Sequence, residues 1–263
     1  MTSQITLPAD GMWVIGYGSL IFKPPPLYLF RVTGTLKGFI RRFWQLSSDH
    51  RGTPENPGRV ATLVSLDDLK SHKRFHNDLH LYELGNTHRE TSLASDSAIS
   101  LEMKNDIDDV SVSISNLSED DLKVWGVAYY IAPEHVNEMK EYLDVREQDG
   151  YSTHRIMFHV HSVPDLTPEI ERVLSKMPRN SDGDLVIESM IYIGTIDNDS
   201  FVGPEDIEKT ADVIRTGSGP SGANYEYLHE ITAAVRNLDP LARSRDYYLE
   251  DLTQLAQPHK LDL

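Results

Sequence analysis

Glu147 is the residue best placed to move a proton. It stands one helical turn after Leu143 in YLDVREQDGY (Tyr142–Tyr151), before a glycine stop and an aromatic. At that spacing its carboxylate follows the apolar stripe of a helix instead of turning away from it. Partial burial raises a carboxylate's pKa, which suits proton transfer near neutrality. A solvated helix end would carry charged residues too, so this motif alone does not decide the matter.

Three further motifs bear on chemistry. Gly16-Tyr17-Gly18-Ser19-Leu20 follows an apolar run, and glycines flanking an aromatic let adjacent N–H groups face an anion or oxyanion. A plain tight turn reads the same way. Arg51 to Val60 (RGTPENPGRV) holds two prolines and two glycines between arginines; it suits either a carboxylate-binding loop or a rigid connection. Gly217 to Tyr225 (GSGPSGANY) lacks the lysine and strand of a phosphate loop, and reads as a helix entry capped by Ser221 or Asn224.

Two constellations carry less. His72, His76 and His80 recur at four-residue intervals, a spacing open to metal ligation; in a polar stretch where no acidic residue completes a familiar metal motif they read as a solvated face. Ser19 as a hydrolase nucleophile would want Gly-x-Ser-x-Gly, and the chain has Gly-Tyr-Gly-Ser-Leu.

These residues need a scaffold. Met12–Ile15 is a short buried strand, Arg31–Leu46 two strands about a bend, and Gly58–Leu66 and Lys123–Ala132 two more. Pro133 suits the first position of a helix carrying Val136, Met139 and Leu143, which should end near Glu147–Gly150. Strands return at Tyr151–Val163 and Leu185–Ile196, and three helices run from Pro204 to about Gln257, broken near Gly217–Gly222 and Asp239–Pro240. Strands first and helices last predict an α+β fold with a mostly antiparallel sheet or small barrel.

Asp67–Asp121 differs from the rest. It is rich in Ser, Asp and Asn, and its 13 acids against 5 bases give −8, half of the net −16 of the 263-residue chain. It reads as a surface insertion, partly helical near Leu69–Leu84 and mobile around Ser92–Ser118. The net charge opposes nucleic acid and anionic membranes as partners. With no cysteine, disulfides, thiolate metal sites and a cysteine nucleophile are excluded, and a reducing cytoplasm is expected. The opening MTSQITLPADGM is unlike a signal peptide, and no apolar run nears the roughly 20 residues of a membrane span.

In combination, WVIGYGSLIF (Trp13–Phe22), RGTPENPGRVATLV (Arg51–Val64), WGVAYYI (Trp125–Ile131), YLDVREQDGY (Tyr142–Tyr151) and GPSGANYEYL (Gly219–Leu228) resemble, in order, the ChaC family of glutathione-specific γ-glutamylcyclotransferases. The acidic Asp67–Asp121 stretch interrupts the pattern. The resemblance implies one domain over 1–263, built as a small mixed β-barrel with surrounding helices. It implies Glu147 as the catalytic residue and a substrate-cradling loop of Val14, Ile15, Gly16, Tyr17, Gly18, Ser19 and Leu20. It implies no metal and no organic cofactor, with glutathione as the small-molecule substrate. The chemistry is derivable. The free α-amine of a γ-glutamyl peptide attacks its own γ-carbonyl and closes a five-membered lactam, releasing 5-oxoproline and cysteinylglycine. One carboxylate serves as base and then acid, for an ammonium of pKa about 8; loop N–H groups hold the substrate and can serve the oxyanion. The alternatives are a cyclotransferase for other γ-glutamyl amines or amino acids, a non-catalytic γ-glutamyl or partner-binding module, and an acidic insertion that recruits a basic partner.

Overall fold

The computed structural model describes residues 11–84, 114–146, 151–181 and 183–258. Five strands close a barrel in the order β1 (Met12–Gly16), β5 (Lys123–Ile131), β2 (Tyr28–Lys37), β6 (Ser152–Ser162) and β7 (Val186–Ile193). Neighbours are antiparallel except at the closure, where β1 meets β7 in parallel through Val14 and Met190. β3 (Phe39–Ser47) and β4 (Gly58–Ser65) form a separate hairpin. The barrel and its helices confirm the α+β expectation.

β1 shows why its sequence is continuously apolar. Alternate side chains point to opposite faces of a strand, and both faces of this one are covered. Trp13 and Ile15 join the barrel core with Phe158, Ile187 and Ile191. Met12 and Val14 join a second core beneath the helices Ile207–Thr216 (α5), Asn224–Arg236 (α6) and Tyr247–Leu255 (α7), with Ile214, Leu228, Ile231 and Leu252. Where β2 crosses to β6, a Cβ on Gly34 would lie 2.0 Å from the carbonyl oxygen of His159. Only glycine allows that approach.

The acidic stretch is not wholly a surface feature. Its described ends fold as α1 (Leu66–Ser71), α2 (His76–Leu79) and short turns. Leu69, Phe75, Leu79, Ile114 and Leu122 pack with Ile40, Trp44 and Val64 of the hairpin in a third core. Two of its acids are structural: Asp78 and Glu83 reach the buried Arg42 at 2.6 and 3.0 Å, and the guanidinium stacks 4.6 Å from the Tyr248 ring centre. Burying an arginine is tolerable only with such partners. The expected mobile centre at Ser92–Ser118 lies mostly outside the described residues; its described end includes the buried Ile114.

The histidine row dissolves for a related reason. His72 has extended backbone (φ −127, ψ 105) and ends α1, so the three histidines do not share one helical face. His76 is buried and His80 exposed, which corrects the expectation of a solvated face. Among the described residues, no group of three or more metal-ligating side chains converges.

Candidate functional site

The chain leaves β1 at Gly16 and folds Ser19–Ile21 into one 3₁₀ turn. A Cβ on Gly16 would sit 2.7 Å from the Leu20 Cβ, so glycine lets the turn double back on its own strand. At Gly18 an added Cβ meets only the Tyr227 hydroxyl, at 3.3 Å. Gly16 thus allows the turn itself, while a side chain at Gly18 would press only on the Tyr227 hydroxyl.

Carbonyl groups in this turn are engaged. Gly18 accepts from Ile21 at 3.0 Å and Ser19 from Lys23 at 2.8 Å, and Leu20 accepts from the Tyr129 hydroxyl at 2.7 Å. Burial pushes the Tyr129 phenol up to about 12, so it remains a donor across the neutral range. The N–H groups of Ser19 and Leu20, which open the turn, take no acceptor among the described residues, as expected where a helical turn begins.

A cleft lies over this turn, lined by Val14, Ile15, Tyr17, Gly18, Ser19 and Leu20 and closed by Met12, Ala61, Leu143, Tyr151, Met190, Tyr192 and Tyr227. Six of the seven residues expected in the loop therefore meet at one cavity; Gly16 shapes the turn behind it.

The helix Val136–Arg146 (α3) delivers its last turn to the same place. Leu143 is buried against the cleft. Asp144 Oδ1 accepts from the Tyr192 hydroxyl at 3.1 Å. The Arg146 guanidinium donates to Ser19 Oγ at 2.7 Å and to the Tyr142 hydroxyl at 2.8 Å. Glu147, the expected catalytic residue, lies outside the described residues; its flanks do not, since Arg146 touches the turn and Tyr151 lines the cleft.

The two remaining motifs are scaffolding. Arg59 holds Glu205 through two bonds, at 2.9 and 3.1 Å. Arg51 donates to the Ala223 carbonyl at 2.9 Å and to Glu226 at 3.3 Å. Of the two readings open for Arg51–Val60, the rigid connection is the one these pairings satisfy. Asn224 is buried and caps nothing; it exchanges both hydrogen bonds with the backbone of Arg59, at 2.7 Å each, and Ala223 stands at the head of α6. Ser221 instead meets His50.

Sequence reasoning missed Tyr192, Tyr227, Met190 and Ala61. Tyr192 was visible only as an aromatic in an apolar strand and Tyr227 as one of two tyrosines opening a helix. Neither position distinguishes a cleft-facing phenol from a core one.

A family profile described as "ChaC-like protein" matches residues 12–258. The chain is 42% identical to the glutathione-specific gamma-glutamylcyclotransferase of Saccharomyces cerevisiae over 95% of this chain and 98% of that protein. It is 29% identical to the Schizosaccharomyces pombe protein of the same description, over 93% and 92%. The crystal structure of the selenomethionine-labelled yeast γ-glutamyl cyclotransferase specific to glutathione superposes with a TM-score of 0.76, at 42% identity, covering 94% of this chain and 96% of that one. With the profile spanning residues 12–258 and 42% identity over nearly the whole of both chains, this chain belongs to the ChaC-like protein family.

Proposed function

We propose that this protein cleaves glutathione to 5-oxoproline and cysteinylglycine, with Glu147 as base and then acid and Val14–Leu20 as the substrate cradle. The observation that carries the reading is the contact between Arg146 and Ser19, which joins the end of α3 to the glycine turn. Glu147 is the next residue in the chain, and Tyr151, four further on, lines the same cleft. In this reading the Glu147 carboxylate serves the ammonium of a substrate held by the turn.

The substrate supplies its own nucleophile, so no covalent enzyme intermediate is needed. The turn and the tyrosine-lined walls hold the γ-glutamyl chain curled, and such preorganisation can contribute several kcal/mol. The unengaged N–H groups of Ser19 and Leu20 are suited to a developing oxyanion. Glu147 takes the ammonium proton and returns it to the departing amine. We treat 1–263 as one domain with Asp67–Asp121 inserted; the support is that the inserted segment's ends share a core with the β3–β4 hairpin. A cytoplasmic setting suits a chain without cysteine.

The test is to incubate purified protein with glutathione and with γ-glutamyl-alanine, and to assay 5-oxoproline and cysteinylglycine. Turnover of glutathione is expected. Turnover of γ-glutamyl-alanine instead would move the reading to other γ-glutamyl substrates, and no turnover of either would refute it.

A further inference from the structure

The described lining of the cleft contains no charged side chain, and the whole chain carries a net −16. Yet internal attack requires the substrate's amine to be neutral, which leaves the γ-glutamyl end with the uncompensated charge of its α-carboxylate. A carboxylate in an uncharged cleft of an acidic protein needs a donor backed by a cation.

Ser19 and Arg146 provide that combination. Arg146 donates to Ser19 Oγ at 2.7 Å. A serine hydroxyl has one O–H to give and lone pairs to accept with. Its oxygen here accepts from a guanidinium, and its own proton has no acceptor among the described residues. Ser19 lines the cleft, so that polarised O–H is available to a ligand oxygen. The same guanidinium holds the Tyr142 hydroxyl one turn back along α3, at 2.8 Å, which fixes the direction of its fork.

We infer that Arg146 is a positioning residue that orients and polarises the Ser19 hydroxyl, and that this hydroxyl binds the α-carboxylate of the γ-glutamyl group. The inference rests on the proposed function. Because the carboxylate is charged before and during the reaction, the contact binds ground state and transition state alike, and its loss falls on KM.

Steady-state kinetics with glutathione test it, using Ser19→Ala, Arg146→Gln, Arg146→Lys and the double variant, each checked for folding by thermal melting. Ser19→Ala should raise KM about tenfold, the worth of one charge-assisted hydrogen bond, with kcat unchanged. Arg146→Gln should do the same, and Arg146→Lys, which keeps the charge, should raise KM less. In the Ser19→Ala background neither Arg146 change should add anything, because the arginine acts through the serine. An unchanged KM in Ser19→Ala, a loss confined to kcat, or full additivity of the double variant would each overturn the inference. If Arg146→Gln does not fold, the lysine variant carries the additivity comparison alone. Wild-type protein that does not turn over glutathione would refute the proposed function instead, so the two failures are separable.

Discussion

The hydroxyl of Tyr192 donates to Asp144 Oδ1 at 3.1 Å, and the backbone carbonyl of the same tyrosine accepts from the Tyr17 hydroxyl at 3.0 Å. Tyr192 therefore ties the last turn of α3 and the glycine turn to one barrel strand. Tyr192→Phe keeps the ring and the carbonyl contact but frees Asp144. The contact is solvent-exposed, so its net worth is about 1 kcal/mol, and a fewfold fall in turnover is expected with a melting temperature lower by only about 2–4 °C. Asp144→Asn keeps an accepting oxygen and should stay near wild type, whereas Asp144→Ala should match Tyr192→Phe. Strictly additive effects of Asp144→Ala and Tyr192→Phe would show that the pair does not act as a unit.

Glu147→Gln removes the only proposed proton carrier while keeping its size. General acid–base catalysis is typically worth about 10²- to 10⁴-fold, so kcat should fall by at least that range with KM little changed. Retention of more than about a tenth of wild-type turnover would rule this residue out. A dead Asp144→Asn variant would point to a different carboxylate, one turn earlier on α3.

The two glycines of the turn should separate folding from binding. A side chain at Gly16 collides with Leu20 at 2.7 Å, so Gly16→Val should lower the melting temperature and cost activity together. A side chain at Gly18 meets only the Tyr227 hydroxyl, at 3.3 Å, a smaller adjustment, so Gly18→Val should destabilise less than Gly16→Val and instead crowd the cleft, raising KM for glutathione. Equal melting temperatures for the two variants would contradict this geometry.

The acidic segment should prove partly structural. Phe75 is fully buried and stacks 5.7 Å from the Trp44 ring centre, and Phe→Ala at such a site costs about 3–5 kcal/mol. Replacing Ser92–Ser118 with a Gly/Ser linker removes the buried Ile114 and should destabilise the protein. Stopping the replacement at Asp109 spares that residue. Identical denaturation midpoints for the two deletions would show that Ile114 contributes nothing.

Acid should weaken the grip of Arg59 on Glu205. Burial alone would raise the Glu205 carboxyl, but its bonds to Arg59 and Lys209 outweigh burial and hold it below the usual glutamate value. A depressed carboxyl contributes stability that is present above its unfolded pKa, near 4.5, and is lost as pH falls through the folded value. Denaturation midpoints should therefore drop below about pH 4.5, and Glu205→Gln should flatten that part of the profile. At neutral pH, Glu205→Ala strands a buried guanidinium and should cost about 3 kcal/mol. An unchanged acid limb in Glu205→Gln would assign the pH dependence to other groups.

Much of the scaffold was legible in the chain because its signals are local. Continuous apolarity marks β1, the change of period after Pro133 marks α3, and glycine pairs mark the turn after β1 and the approach to α6. The ordered motifs likewise brought Val14–Leu20 and the end of α3 into one reading. What the tertiary structure decided was partnership. Arg51 and Arg59 look open to a ligand carboxylate and Asn224 looks like a helix cap in a row of letters, but the fold brings Glu226, Glu205 and the Arg59 backbone to them from up to 175 residues away. Asp78 and Glu83 look like solvated acids until Arg42 is buried beside them. Tyr192 meets Asp144, and Ser19 meets Arg146, only when barrel closure and the end of α3 bring them together. Propensity and periodicity act over a few residues, and so are written in sequence. The pairing of a buried charge, or the direction of a hydroxyl, depends on distant groups and exists only once the chain has packed.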